Sequence, residues 1–325
     1  MKLIDPSVQM ITEKNPFRKI EMIGRTCYKS ENKMTDDSAR KFVDGLIKRK
    51  HFAMLEHAEV TFKIVGVHDL EMCLPYIPFI RHSCILDSAV RPDTHLVTVS
   101  LSHLFNPDWK HSEYIQEFKK MFMQYIDSGC DDTVVFASDS LISPETDEPA
   151  KISLITDLKK ELSTLADIFK VDPEDLWDAH GSYTFKFICD RGVSHELVRH
   201  RCSFAQESTR YCNYSSEKFG REIQFIKPST FDSWDEKAQK EFINQLECAE
   251  SSYLYLSDLG LSPQQARAVL PNALKTEVVM TAPVYQWKHF FDLRSKGTTG
   301  APHPDMKVVA DMAYEMFEKS EYNMF

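Results

Sequence analysis

The sequence predicts an α/β protein in which a mixed sheet is flanked by helices. Three observations carry this prediction. Apolar residues recur at helical spacing in several segments, other segments alternate apolar and polar residues like half-buried strands, and the two kinds are interleaved along the chain.

The elements follow in order. After Thr35-Asp36-Asp37, the residues Ala39, Phe42, Val43, Leu46 and Ile47 share one helical face, which predicts a helix over 36–49. Val60, Phe62 and Ile64 alternate with Thr61 and Lys63 as a strand does, and Tyr183 to Ile188 repeats the pattern much later. The intervening stretch, 66–180, reads as an insertion within a single domain of residues 1–325. It has helical signals of its own, Tyr114 to Tyr125 and Leu154, Leu158, Leu162 and Leu165, and a polar loop from Ser138 to Lys151. Ser203 to Thr209 reads as a loop and Arg210 to Tyr214 as strand-like. A long helix spans Trp234 to Leu259, and Gly260 is placed to end it in the left-handed conformation. Ser262 restarts the helix, with Pro263 in its first turn and Gln265 completing a capping box, so that Arg267 sits one turn in. Thr276 to Ala282 is expected to be a strand, Val284 to Arg294 a helix and Met306 to Phe317 a final amphipathic helix.

Composition narrows the function. The 325 residues, 42% hydrophobic and 27% charged, match ordinary globular usage and exclude disorder. A net charge of −10 argues against a broad footprint for nucleic acid or for an anionic membrane, so any anionic ligand needs a local basic site. No run of about 18 apolar residues and no leader-like start occur, which predicts a cytoplasmic protein without a membrane span. The eight cysteines include no C-x-x-C pair and read as small buried hydrophobes rather than as metal ligands. With ten glycines and neither a Rossmann fingerprint nor a Walker loop, a nucleotide would be held by side chains.

The unusual stretch is Arg191 to Tyr211. It carries four arginines against two glutamates in an acidic protein, which marks an anion site. Arginine forks, short Ser and Gln hydrogen-bonding groups and the Tyr211 ring suit a phosphorylated heterocycle. The competing readings are ordinary ones: His57 as a core histidine, Arg294 as a complement to its helix dipole, Ser208 as a turn residue.

Arg199-His200-Arg201 followed by Ser208-Thr209-Arg210-Tyr211 closely resembles the signature of the flavin-dependent thymidylate synthases. Gly24 to Tyr28, Met54 to His57, Ala266 to Pro271 and Trp287 to Arg294 are similar to further segments of that family, in the same order. Two departures stand out. Only six residues, Cys202 to Glu207, separate the R-H-R triplet from Ser208 where the family pattern has seven, and His57 lies 142 residues before Arg199. The short spacing leaves open which of Arg199, His200 and Arg201 fills each family role, and is expected to be absorbed in a loop.

The resemblance implies reductive methylation of dUMP to dTMP, with 5,10-methylenetetrahydrofolate as carbon donor, FAD as bound redox carrier, NADPH as reductant and a homotetrameric assembly. It implies that Ser208 and Arg294 act at the reacting base, Ser208 polarising it rather than attacking it. Glu196, Ser208, Arg210, Arg267 and Arg294 would bind dUMP, while His57, Arg199, His200, Arg201, Glu207 and His289 would contact FAD. No metal is implied, and no cysteine is expected to attack uracil. The alternative is a nucleotide- and flavin-binding homologue weakened by the short loop.

Overall fold

A computed structural model describes residues 1–66, 80–85, 94–131, 137–142 and 149–321. The α/β composition is as expected, but the strands divide among three sheets. The strands are β1 Lys2–Ile4, β2 Ser7–Met10, β3 Glu59–Val65, β4 Ile80–Ile85, β5 Thr94–Ser100, β6 Ala137–Ile142, β7 Pro149–Ile155, β8 Ser182–Asp190, β9 Ser203–Gln206, β10 Gln224–Ile226 and β11 Lys275–Pro283. One sheet has the order β2-β8-β11-β9 and another β4-β5-β3-β7-β6, and both are antiparallel throughout. Parallel pairing is confined to β1 and β10.

Helix ends follow local chemistry. The long helix is Glu236–Asp258, started by the Asp235 carboxylate on the Ala238 amide, and Gly260 takes φ +90 just beyond its end. Ser262 and Gln265 form the expected capping box. The first predicted helix is Ser38–Lys48, and the helix Val284–Arg294 has the predicted ends.

Three expectations differ. Leu154 belongs to β7, because Asp157 caps a new helix, Leu158–Phe169, and so separates Leu154 from the three leucines after it. The expected loop 138–151 is largely two paired strands, β6 and β7, and its centre, 143–148, lies outside the described residues. Around the R-H-R motif the order is reversed. Ser203–Gln206 is a strand because it pairs with Val278–Thr281 of β11, and Arg210 to Tyr214 is a turn because the Tyr211 and Cys212 amides both donate to the Ser208 carbonyl.

Each larger sheet has its own core. The five-stranded sheet packs Phe62, Ile64, Val97 and Val99 against Phe118 and Phe122 of the helix Glu113–Asp127, and against Phe17 and Ile20 of the helix Pro16–Thr26. The four-stranded sheet packs Phe185, Phe187, Val278 and Met280 against Trp287, Phe290 and Phe291 and against the helix Pro304–Glu321. β9 and β11 lie at the join, since Ala205 and Val279 belong to the first core while their neighbours serve the second.

Candidate active site

Arg294 ends the helix Val284–Arg294, which starts directly from β11, and Glu196 ends the short helix Arg191–Leu197, capped by Asp190 on the Val193 amide. These two helix ends bring three predicted residues together. Arg294 Nη1 meets Glu196 Oε2 at 2.9 Å, and Arg294 Nε donates to His200 Nε2 at 3.1 Å. The His200 ring packs edge-on against Phe290, one turn before Arg294. Burial, then the neighbouring Arg294 and His289, push the His200 pKa down to about 4. It is therefore a neutral acceptor at physiological pH, and Arg294 keeps a fixed direction with guanidinium hydrogens to spare for a ligand oxygen.

The helix does not run through the R-H-R triplet, and successive side chains diverge. His200 turns in toward Arg294, Arg199 is exposed, and Arg201 is exposed beside a cavity of about 540 Å³. The six-residue spacing spans β9 and the following turn, so the short segment rotates no helix.

The Ser208 turn forms a second group. Its amide donates to the Cys27 carbonyl at 3.0 Å, which joins the Gly24 to Tyr28 segment to the signature across the long intervening chain. Arg267 Nη1 donates to Thr209 Oγ1 at 3.0 Å. Arg210 lies over the Tyr211 ring, and Tyr211 packs against Tyr28 with ring centroids 5.2 Å apart. Both arginines are exposed.

Two predicted flavin contacts are placed otherwise. His57 is 0% exposed, with Nδ1 at 2.7 Å from Thr281 Oγ1, and is a core histidine. The six-residue 3₁₀ turn Phe52–His57 precedes β3, so the side chain that faces the cavity is Glu56, one residue earlier. Glu207 also points inward, 2% exposed, with its carboxylate on Lys275 Nζ at 2.8 Å and on the Tyr214 hydroxyl at 3.0 Å. His289 is exposed, and its charge is felt at His200.

The sequence reading missed two sets of residues. Glu56, Arg81, Ser203 and Tyr285 line the cavity with Arg201. Beneath the Ser208 turn, Glu277 binds Lys275 at 2.5 Å, Lys29 at 2.7 Å and Lys186 at 2.5 Å. Burial would raise its pKa, but Lys275 and Lys186 outweigh burial and hold it at about 2. The signal was present, because Lys186 and Glu277 are charges inside otherwise apolar strand patterns.

Burial, then Lys19, push the His57 pKa down to about 3. Its ordinary value near 6.5 returns on unfolding, so the unfolded chain takes up the proton first. Stability is then complete above about pH 6.5 and falls as pH drops toward 3, by about 1.4 kcal/mol per pH unit for this group. Urea unfolding at pH 7, 6, 5 and 4 should show that slope in the unaltered chain and a shallower one in His57→Phe. Equal slopes would contradict a neutral, buried His57.

No helix of the described residues is long and apolar enough to cross a membrane. The family model described as thymidylate synthase complementing protein matches residues 9–70 and 127–320. The flavin-dependent thymidylate synthase of Geobacter sulfurreducens is 35% identical over 117 residues, which are 35% of this chain and 48% of that protein. That of Pyrococcus horikoshii is 34% identical over 117 residues, 35% of this chain and 47% of its own. The chain thus spans about half the length of the curated relatives it matches. A UMP/dUMP methylase, PolB from Streptomyces cacaoi bound with 5-Br dUMP, has 23% identity and a TM-score of 0.37 over 50% of this chain and 75% of its own, a likeness too slight to align side chains. The family match takes in more than half of the residues, including the R-H-R signature and the helix that ends at Arg294, and the chain belongs to the thymidylate synthase complementing protein family.

Proposed function

We propose that the protein is a flavin-dependent thymidylate synthase that converts dUMP to dTMP, with 5,10-methylenetetrahydrofolate as the carbon donor and NADPH as the reductant. The observation that carries this reading is the convergence of Glu196, His200 and Arg294, with a second basic group, Arg210 and Arg267, on the Ser208 turn, in a chain of net charge −10. Such a set suits a nucleotide anion attached to a ring with fixed hydrogen-bonding edges.

The residues fit a flavin nucleotide. A cavity of about 540 Å³ is ligand-sized, and it offers the Arg201 guanidinium for a phosphate, the Tyr285 ring as an aromatic face and Glu56 and Ser203 as polar partners. FAD bound there would carry the electrons between NADPH and the transferred one-carbon unit. This chain's own residues bind and orient. Arg294, aligned by Glu196 and His200, holds the uracil edge, and Arg267 and Arg210 hold the phosphate. Ser208 polarises the base from a turn tied to Cys27, and His289 lies near the flavin edge. Assembly into a homo-oligomer is in keeping with the helix Glu236–Asp258, which buries only Leu246 and Tyr253 within the chain and leaves Tyr255 65% exposed.

The direct test is the absorbance spectrum of the purified protein, followed by anaerobic reduction with NADPH. Flavin bands that bleach with NADPH, and return when dUMP and methylenetetrahydrofolate are added, would support the reading. Flavin that binds and never turns over would favour the weakened homologue, and a colourless protein unable to take up FAD would reject both.

The two thiols nearest the arginines are poor nucleophiles. Burial pushes Cys202 up to about 12, and burial together with Glu207 does the same to Cys212. Cys202→Ala and Cys212→Ala should each keep at least about a tenth of the turnover, since loss of a covalent nucleophile removes several orders of magnitude. A nucleotide adduct on Cys202 by mass spectrometry would overturn the flavin route.

A further inference from the structure

Residues 71–126 fall between the two matched stretches of the family model. Their described part contains β4 and β5. β5 pairs along all of β3, from Glu59 opposite Ser100 to Val65 opposite Thr94, so these two strands extend the sheet from a strand inside the family match.

Arg81 of β4 shows what this placement does. Its Nη2 pairs with Glu59 Oε2 on β3, and its Nη1 donates to the carbonyls of Ala179 at 2.9 Å and Gly181 at 3.1 Å, where the helix Pro173–His180 gives way to β8. One guanidinium thus ties three chain segments together, with both members of the ion pair largely withdrawn from water. A pair in that setting has a defined geometry, unlike a solvated surface pair. Arg81, Glu59 and Ser100 line the 540 Å³ cavity together with Arg201 and Tyr285. Tyr285 is 47% exposed, and Arg201 forms no ion pair with a described residue.

We propose that β4 and β5 complete the flavin-nucleotide cavity, and that Arg81 is a binding residue of that cavity which also holds Glu59 and the 179–181 carbonyls in place beside it. This inference rests on the functional reading above. It assigns these two strands to the ligand site rather than to a separate task. The alternative, that Arg81 only staples the sheet, predicts a different pattern of loss.

The experiment compares the unaltered chain with Arg81→Met, Arg81→Lys, Glu59→Gln and Arg201→Ala. FAD is titrated into flavin-stripped protein by flavin fluorescence, dUMP binding is followed by calorimetry, and folding by circular dichroism and thermal unfolding. Arg81→Met and Arg201→Ala should each weaken FAD by about tenfold or more, the effect of losing a charged hydrogen-bond partner, with dUMP affinity within about twofold. Arg81→Lys keeps the charge without the fork and should fall between. Folded Arg81→Met with unchanged FAD affinity, or equal losses of FAD and dUMP, would overturn the inference. Should Arg81→Met fail to fold, unchanged FAD affinity in both Arg81→Lys and Glu59→Gln would overturn it equally. Failure of the unaltered chain to bind FAD would instead reject the functional reading.

Discussion

Replacing Arg294 with alanine is expected to weaken dUMP by about a hundredfold, or about 2–3 kcal/mol, while FAD stays bound. The cation is lost, and so is the partner of Glu196, whose carboxylate is left without its ion pair. His200 responds as well. Arg294 is the second cause of its lowered pKa after burial, so the variant should show a His200 titration moved upward from about 4 toward its ordinary range. Calorimetry with dUMP, flavin absorbance and an NMR titration of the histidines measure the three effects. Arg294→Lys should lie between, since an ammonium keeps the charge and loses the paired fork. Unchanged dUMP affinity in Arg294→Ala would remove Arg294 from the site.

The largest stability effect is expected from Lys275→Met. Lys275 is buried on β11 and holds both Glu207 and Glu277, so its loss takes the ion-pair partner from the buried Glu207 and leaves it the Tyr214 hydroxyl. Removing one member of such a pair costs about 3–5 kcal/mol, because the remaining charge is buried without compensation. Glu277 keeps Lys29 and Lys186 and is not stranded. The double variant Lys275→Met/Glu207→Gln should therefore regain part of the loss, a coupling that urea unfolding of the two single variants and the double variant reads directly. Additive losses would show that the Lys275–Glu207 pair is not coupled. Glu207 immediately precedes Ser208, so the single variant should also loosen the nucleotide turn and raise the KM for dUMP.

Much of the local architecture was legible in the residues. The helix Val284–Arg294 and the capping box at Ser262 rest on spacing, caps and the behaviour of glycine and proline, all of which act within a turn or two of chain. The basic cluster was legible as a list for a related reason. Four arginines near two glutamates in an acidic protein mark an anion site wherever they fold, and the order of the flanking segments carried the resemblance.

What only the tertiary structure decided is partnership. The segments Val60 to Ile64 and Tyr183 to Ile188 alternate almost identically, yet β3 pairs with β5 and β7 in one sheet and β8 with β2 and β11 in another. Alternation fixes which side chains share a face, and the pairing partner is set by residues far away in sequence. The same limit applied at the site. Glu56 rather than His57 faces the cavity because a 3₁₀ turn, not an extension of the strand, precedes β3. Glu207 looked like a ligand contact in the signature, and it is buried because Lys275 arrives beside it from β11, 68 residues on. Periodicity and caps are local, so the chain could announce its helices, its strands and its basic cluster. Cavities and ion pairs need two distant surfaces to meet, and only the packed fold brings Arg81 to Glu59 and Arg294 to Glu196 and His200.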